Sequence, residues 1–232
     1  MIEPPESLTP SVPAVTVWEG IAIAAGSVLL VAMGAAGLVY KFFVNAANPQ
    51  RATQIAQSLM DYNIPDTEGV FGANLGGAKV AIVSSRSFPK DAAVLDGINP
   101  AAAKGVELFV ARLPLDVEKT ASQNATRPPS TSNISPSYDP FSASDFSFSY
   151  RSGEEFTVNQ ERIEEKMFCQ QKVPVRIQEG NLALSSQAPQ IPAVKYDASA
   201  PVGNSKRQVT ITAIGPTAKQ DAAMVFNSLN CK

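Results

Sequence analysis

The chain has 232 residues, a formal net charge of −2 and no histidine. Without histidine the commonest general base and metal ligand are both missing, so Ser-His-Asp and Cys-His catalysis are excluded. No stretch concentrates Lys or Arg, so the electrostatic footprint of a nucleic-acid binder is absent, and Lys206-Arg207 reads as a solvated dibasic pair.

Residues 1–17 are rich in proline and acid and are expected to be a disordered tail. Gly20 to Tyr40 carries no charge over 21 residues. At 1.5 Å per residue that run reaches about 32 Å, enough for a hydrocarbon core of about 30 Å. Trp18 precedes it, and Tyr40, Lys41, Phe42 and Phe43 follow, which are membrane-interface residue types. The expectation is a single transmembrane helix over 18–43. A cleaved signal would need a cationic start, but the sequence begins Met1-Ile-Glu-Pro-Pro-Glu6. A buried soluble helix would carry polar residues on one face.

Eleven of the 21 residues in the span are Gly, Ala or Ser, and Ala22/Gly26 and Ala32/Ala36 fit small-xxx-small spacing. That face suits packing against another transmembrane protein, although Ala and Gly recur in spans by chance as well. For orientation, Lys41 and Arg51 follow the span and no cation precedes it, a slight lean to a cytoplasmic C-terminal part.

Asn48 followed by Pro49 marks a helix start, with Ala52, Ile55, Ala56, Leu59 and Met60 as its apolar stripe running to about Tyr62. The segment Gly69-Val-Phe-Gly-Ala-Asn-Leu-Gly-Gly-Ala-Lys79 has the look of a phosphate loop. However, Ala78 separates the last glycine from Lys79, and a β-branched run follows where a helix is required. A hairpin turning at Gly76-Gly77 accounts better for the glycines. Val106 to Arg112 reads as a further strand.

Residues 119–150 hold 18 Ser, Thr, Asn and Pro, which makes them a polar linker up to about Ser137. The linker ends in aromatics, namely Tyr138, Phe141, Phe146, Phe148 and Tyr150. They read as a short edge strand or, alternatively, as a peptide for a partner groove.

Residues 159–170 fit helix and strand equally. Val173, Val175 and Ile177 alternate with polar residues, and Pro174 suggests an edge strand. Leu182 and Leu184 continue the alternation, and Gln208 to Ile214 is the clearest strand. Thr217-Ala-Lys-Gln220 has capping-box spacing, opening a helix with the stripe Ala218, Ala222, Val225, Phe226 and Leu229.

Cys169 and Cys231 are the only cysteines, too few for a Cys-rich metal site and too far apart for a CxxC motif. Two readings stay open. They are free thiols acting as small hydrophobes, or they form a disulfide closing a loop of about 60 residues, worth on the order of 4 kcal/mol. Cys231 sits next to the last residue, where a chain normally frays, so a tether there has a physical use. It requires an oxidising compartment, against the lean of the charges.

The string Ala56-Gln-Ser-Leu-Met-Asp-Tyr-Asn-Ile-Pro65, the Gly69 to Lys79 segment, the Cys169 to Gly180 stretch and the ending Val225-Phe-Asn-Ser-Leu-Asn-Cys-Lys232 together resemble a group of cyanobacterial single-span membrane proteins of unknown function. The resemblance covers about a third of the chain and brings no activity or site residue with it. A strand followed by a terminal helix is also similar to the photosystem II P-type extrinsic and Mog1-like fold.

The expected architecture is α+β: a transmembrane helix, then an antiparallel-sheet domain with flanking helices. Its first half is 48–118 and its second half 151–232, with two separate small domains as the alternative. The expected role is a non-catalytic accessory or assembly protein of the membrane, acting through protein contacts. No catalytic, cofactor or metal residue is assigned. A ligand-binding sensor is the alternative. A carboxylate-dependent hydrolase is a further one, with Asp61, Asp66, Glu68, Glu154, Glu155, Glu164 and Glu165 as its raw material.

Overall fold

A computed structural model describes residues 16–89, 102–115 and 153–232. Most of the 1–17 tail and the whole 119–150 linker with its aromatic end lie outside the described residues. Two compact units are present, Met1–Val44 and Asn45–Lys232. The first contains most of α1 (Val17–Ala46), an apolar helix of 30 residues with none of its most apolar stretch buried. It is long and apolar enough to cross a membrane.

The second unit is α+β. Helix α2 (Pro49–Leu59) starts where the Asn48-Pro49 pair predicts. Asn48 Oδ1 accepts from the N–H groups of Gln50 at 3.0 Å and Arg51 at 3.2 Å, satisfying two orphan donors of the first turn. The helix ends at Leu59, short of Tyr62, because Met60 and Asp61 turn extended as β1 (Met60–Asp61).

The sheet strands follow: β2 (Thr67–Leu75), β3 (Ala78–Ser85), β4 (Gly105–Pro114), β5 (Glu155–Phe168), β6 (Gln171–Ala183), β7 (Ile191–Val202) and β8 (Ser205–Ile214). Helix α3 (Ala218–Ser228) and β9 (Asn230–Cys231) complete the order. The seven-stranded sheet is antiparallel throughout, in the order β2-β3-β4-β8-β7-β6-β5, and β1 pairs with β9. Because β4 pairs with β8, strands from both sides of the linker share one sheet.

Both helices lie on one face of the sheet. Ala56 and Leu59 of α2 and Ala222, Val225 and Phe226 of α3 are buried with Val83, Leu108, Val175, Ile177, Val209 and Ile211. A smaller cluster, including Phe88, Leu182, Ile191, Ala193 and Ile214, forms on the other side.

The β2–β3 hairpin turns at Gly76 (φ 55°) and Gly77 (φ 95°), a left-handed pair that glycine adopts without strain. The other two glycines of the phosphate-loop lookalike serve packing. A Cβ on Gly69 would stand 2.0 Å from Pro49 O, and one on Gly72 would stand 2.6 Å from Ala52 Cα.

Three expectations need correction. Lys206-Arg207 is not a solvated pair, since both residues are buried on the strand that lies between β4 and β7, and 159–170, open between helix and strand, is mainly strand within β5 and its turn. β6 is not an edge strand, since it lies between β5 and β7. Its ladder with β7 begins only at Val175, so Pro174 meets β5 alone and its missing N–H is tolerated there. The capping box does not form as spaced. Thr217 makes no side-chain cap bond, and its hydroxyl donates to Asp221 Oδ2 at 2.7 Å.

Candidate functional site

The structure joins the two cysteines. Cys169 and Cys231 are disulfide-bonded, with Cα atoms 5.0 Å apart. Cys169 and Gln170 form the two-residue β5–β6 turn, at φ 50° and 62°. Left-handed geometry at both positions suits a hairpin but is uncommon for residues other than Gly, Asn and Asp. Cys231 lies on β9 opposite Met60, so the bond ties three elements together: the β5–β6 turn, β9 and β1.

Ala22, Gly26, Ala32 and Ala36 are exposed on α1, and a Cβ built on Gly26 would meet no atom within 4 Å. The carboxylates are dispersed. Asp61 pairs with Lys232 at 2.6 Å, and Glu164 with Arg162 and Lys166, each at 2.7 Å. Asp66 sits in the turn before β2 with φ 49°. Among the described residues no three of His, Cys, Asp and Glu gather closely enough to hold a metal ion.

Beside the disulfide opens a cleft of about 490 Å³ lined by Lys166 and Met167 of β5, Cys169 and Gln170 of the turn, Phe226 and Asn227 of α3, and Leu229 and Asn230 after it. Its apolar floor is fixed by packing. Phe226 stacks at 6.1 Å from Phe168 and 5.7 Å from Tyr196, and all three rings are buried. One wall is β5, the last strand of the sheet, and the other is the C-terminal end of α3.

An ion-pair network braces the β5 wall on the helix side. Arg162 bridges Glu164 and Glu179, Lys166 holds Glu164, and Lys219 of α3 reaches Glu179 at 3.0 Å. Hydrogen bonds from Lys166 and Arg162 hold the Glu164 carboxyl at about 2. The Glu179 carboxyl is lowered chiefly by its hydrogen bond from Arg162, and the Arg162 guanidinium is raised in turn, first by Glu164.

The cleft therefore offers side-chain amides, a thioether and an aromatic ring, while its one cation, Lys166, is engaged with Glu164. The cysteines were visible in the sequence, but the cleft was not, because Phe168 and Phe226 meet only through the sheet and α3.

No known protein family and no curated protein matches the sequence. Among solved structures, one similar chain is LpqN, a protein involved in cell envelope biogenesis of Mycobacterium tuberculosis. It is 9% identical with a TM-score of 0.36, over 74% of this chain and 82% of that one.

Proposed function

We propose that this chain is a membrane-anchored, non-catalytic accessory protein that works through protein–protein contacts, with residues 45–232 facing an oxidising compartment. The observation that carries the reading is a disulfide-clamped sheet unit following an apolar helix whose surface is left unburied. A helix of 30 residues extends about 45 Å, which leaves a turn or more beyond a hydrocarbon core of about 30 Å.

The disulfide supports the oxidising side, against the charge bias. Two cations, Lys41 and Arg51, make a weak orientation signal. Structural disulfides form and persist in oxidising compartments and are rare in the cytosol. Alkylating thiols in intact cells under acid quench, before and after reduction, tests this. Cys169 and Cys231 resist alkylation until reduced if the unit faces the oxidising side, and immediate labelling of both overturns the assignment.

Affinity purification of the full chain from native membranes in mild detergent, with partners identified by mass spectrometry, tests the accessory role. A stoichiometric membrane partner is the expected result. A partner-free protein overturns it in favour of a second reading, a small-molecule sensor, which the 490 Å³ cleft supports by falling within the size range of ligand pockets.

A further inference from the structure

We propose that the outer edge of β5 is a docking strand for an extended segment of a partner protein in which basic and apolar residues alternate on one face. The inference rests on the accessory reading and names the surface and chemistry through which such a protein acts.

β5 is 14 residues long and ends the sheet, so no strand among the described residues lies beyond its outer N–H and C=O groups. Glu161, Ile163, Glu165 and Met167 lie opposite Gln178, Arg176, Pro174 and Lys172 of β6, and Val158 lies opposite Gly180. All are on the face away from the helices, because the alternate residues Val175 and Ile177 are the ones buried beneath them. Val158, Ile163 and Met167 are 43%, 59% and 60% exposed. One exposed aliphatic residue is ordinary. Three along one face of the last described strand, with Glu161 and Glu165 between them, form an apolar and acidic stripe, bordered on β6 by Arg176 and Lys172 opposite Ile163 and Met167.

The charges on the two faces of this strand differ in kind. On the helix side Arg162 and Lys166 both pair with Glu164. On the outer side Glu161 accepts a hydrogen bond from Gln178 at 2.6 Å, and no cation pairs with it or with Glu165 among the described residues. A complementary strand therefore carries Lys or Arg opposite each acid and an apolar residue opposite Ile163, a basic–x–apolar–x–basic pattern.

A second copy of this chain fits poorly. Two-fold antiparallel pairing keeps each face on its own side. Centred on Arg162 it sets that residue against itself, and centred on Ile163 it sets Glu161 against Glu165 twice. Centred on Glu164 it sets that acid against itself and Arg162 against Lys166. Like charges directly opposite destabilise a strand pair, so these central registers are disfavoured.

At the Met167 end the strand runs into the disulfide-side cleft of about 490 Å³. In strand addition the main chain supplies affinity and flanking pockets supply specificity, and here both occur on one strand.

The test uses the full chain in nanodiscs of zwitterionic lipid and two fluorescein-labelled peptides, Val-Thr-Lys-Thr-Val-Thr-Lys-Thr-Val and its twin with Glu for both Lys, titrated by anisotropy. The basic peptide is expected to bind roughly tenfold more tightly. The Glu161→Lys/Glu165→Lys double variant is expected to reverse the order. Equal binding, no binding of either peptide, or an order unchanged in the double variant overturns the proposal. Should the variant lose its thermal transition, Glu161→Gln/Glu165→Gln replaces it, and a preference as strong as wild type then overturns the proposal. Affinity purification separates the two readings. A membrane partner retained equally by wild type and variant overturns the edge and leaves the accessory role standing. A peptide preference without any membrane partner supports the edge and overturns that role.

Discussion

Arg207, buried on β8, donates from Nη2 to the main-chain oxygen of Lys232 at 2.7 Å. Its Nη1 holds Ser205 Oγ at 3.0 Å, and burial, with Arg112 adding repulsion, pushes the guanidinium pKa down. Lys232 in turn returns to α2 and β1. Its N–H donates to Leu59 O at 3.1 Å, and its ammonium meets Gln57 O at 3.0 Å and the Asp61 carboxylate at 2.6 Å. A buried cation offsets its desolvation only while those acceptors stay in place.

Arg207→Ala is therefore expected to cost about 2–3 kcal/mol and to speed amide hydrogen exchange in β9. Arg207→Lys recovers only part of this, because an ammonium lacks the planar fork that reaches two acceptors at once. Urea midpoints and exchange rates decide. Unchanged values in Arg207→Ala would mean the clasp is idle.

The disulfide acts on the same segment by a different route. It spans 62 residues, and a closed loop of that size is worth about 4 kcal/mol through the unfolded ensemble. The Cys169→Ser/Cys231→Ser variant is expected to lose about 2–4 kcal/mol. Because β9 still pairs with β1 and Lys232 still binds Leu59, the native fold should persist at low temperature. Denaturant curves with and without reductant give the value, and wild type under reductant should overlay the variant.

Local chemistry made several elements legible before the structure. Asn48-Pro49 capped α2, Gly76-Gly77 turned a hairpin, and alternation from Gln208 to Ile214 marked β8. β7 was missed. Pro192, Pro201 and several alanines dilute its β-branched character, and it is held instead by neighbours on both sides. β5 was ambiguous because Ile163 and Met167 stand four apart and Arg162 and Glu165 three apart, spacings that suit a helix, while Ile163 and Met167 also share one face of a strand. The cleft and the outer edge of β5 depend on strand order, which no local pattern encodes.

Two glycines of the phosphate-loop lookalike give a sharp test of why they are there. Gly69 and Gly72 let α2 lie directly on β2, leaving no room for a methyl group. Gly72→Ala should force the helix outward and cost more than about 2 kcal/mol, whereas an alanine on an open strand surface costs well under 1 kcal/mol. Calorimetry measures the loss. Full stability in Gly72→Ala would show that the helix does not need this close approach.

Acid sensitivity should trace partly to the β5 wall. The Glu164 carboxyl is held at about 2 in the folded protein against an ordinary 4.5, and Glu179 is lowered in the same direction. A depressed carboxylate contributes stability that is present above its unfolded value and lost as pH falls toward the folded one. The loss from Glu164 thus falls between about pH 4.5 and pH 2. Its side chain is 40% exposed, so solvent and salt screen most of the gain and the effect should be small. Glu164→Gln should lower the urea midpoint slightly at pH 7, match wild type near pH 2, and lose its pH 7 deficit in 1 M salt. A deficit equally large at both pH values would mean that Glu164 contributes by packing and not by charge.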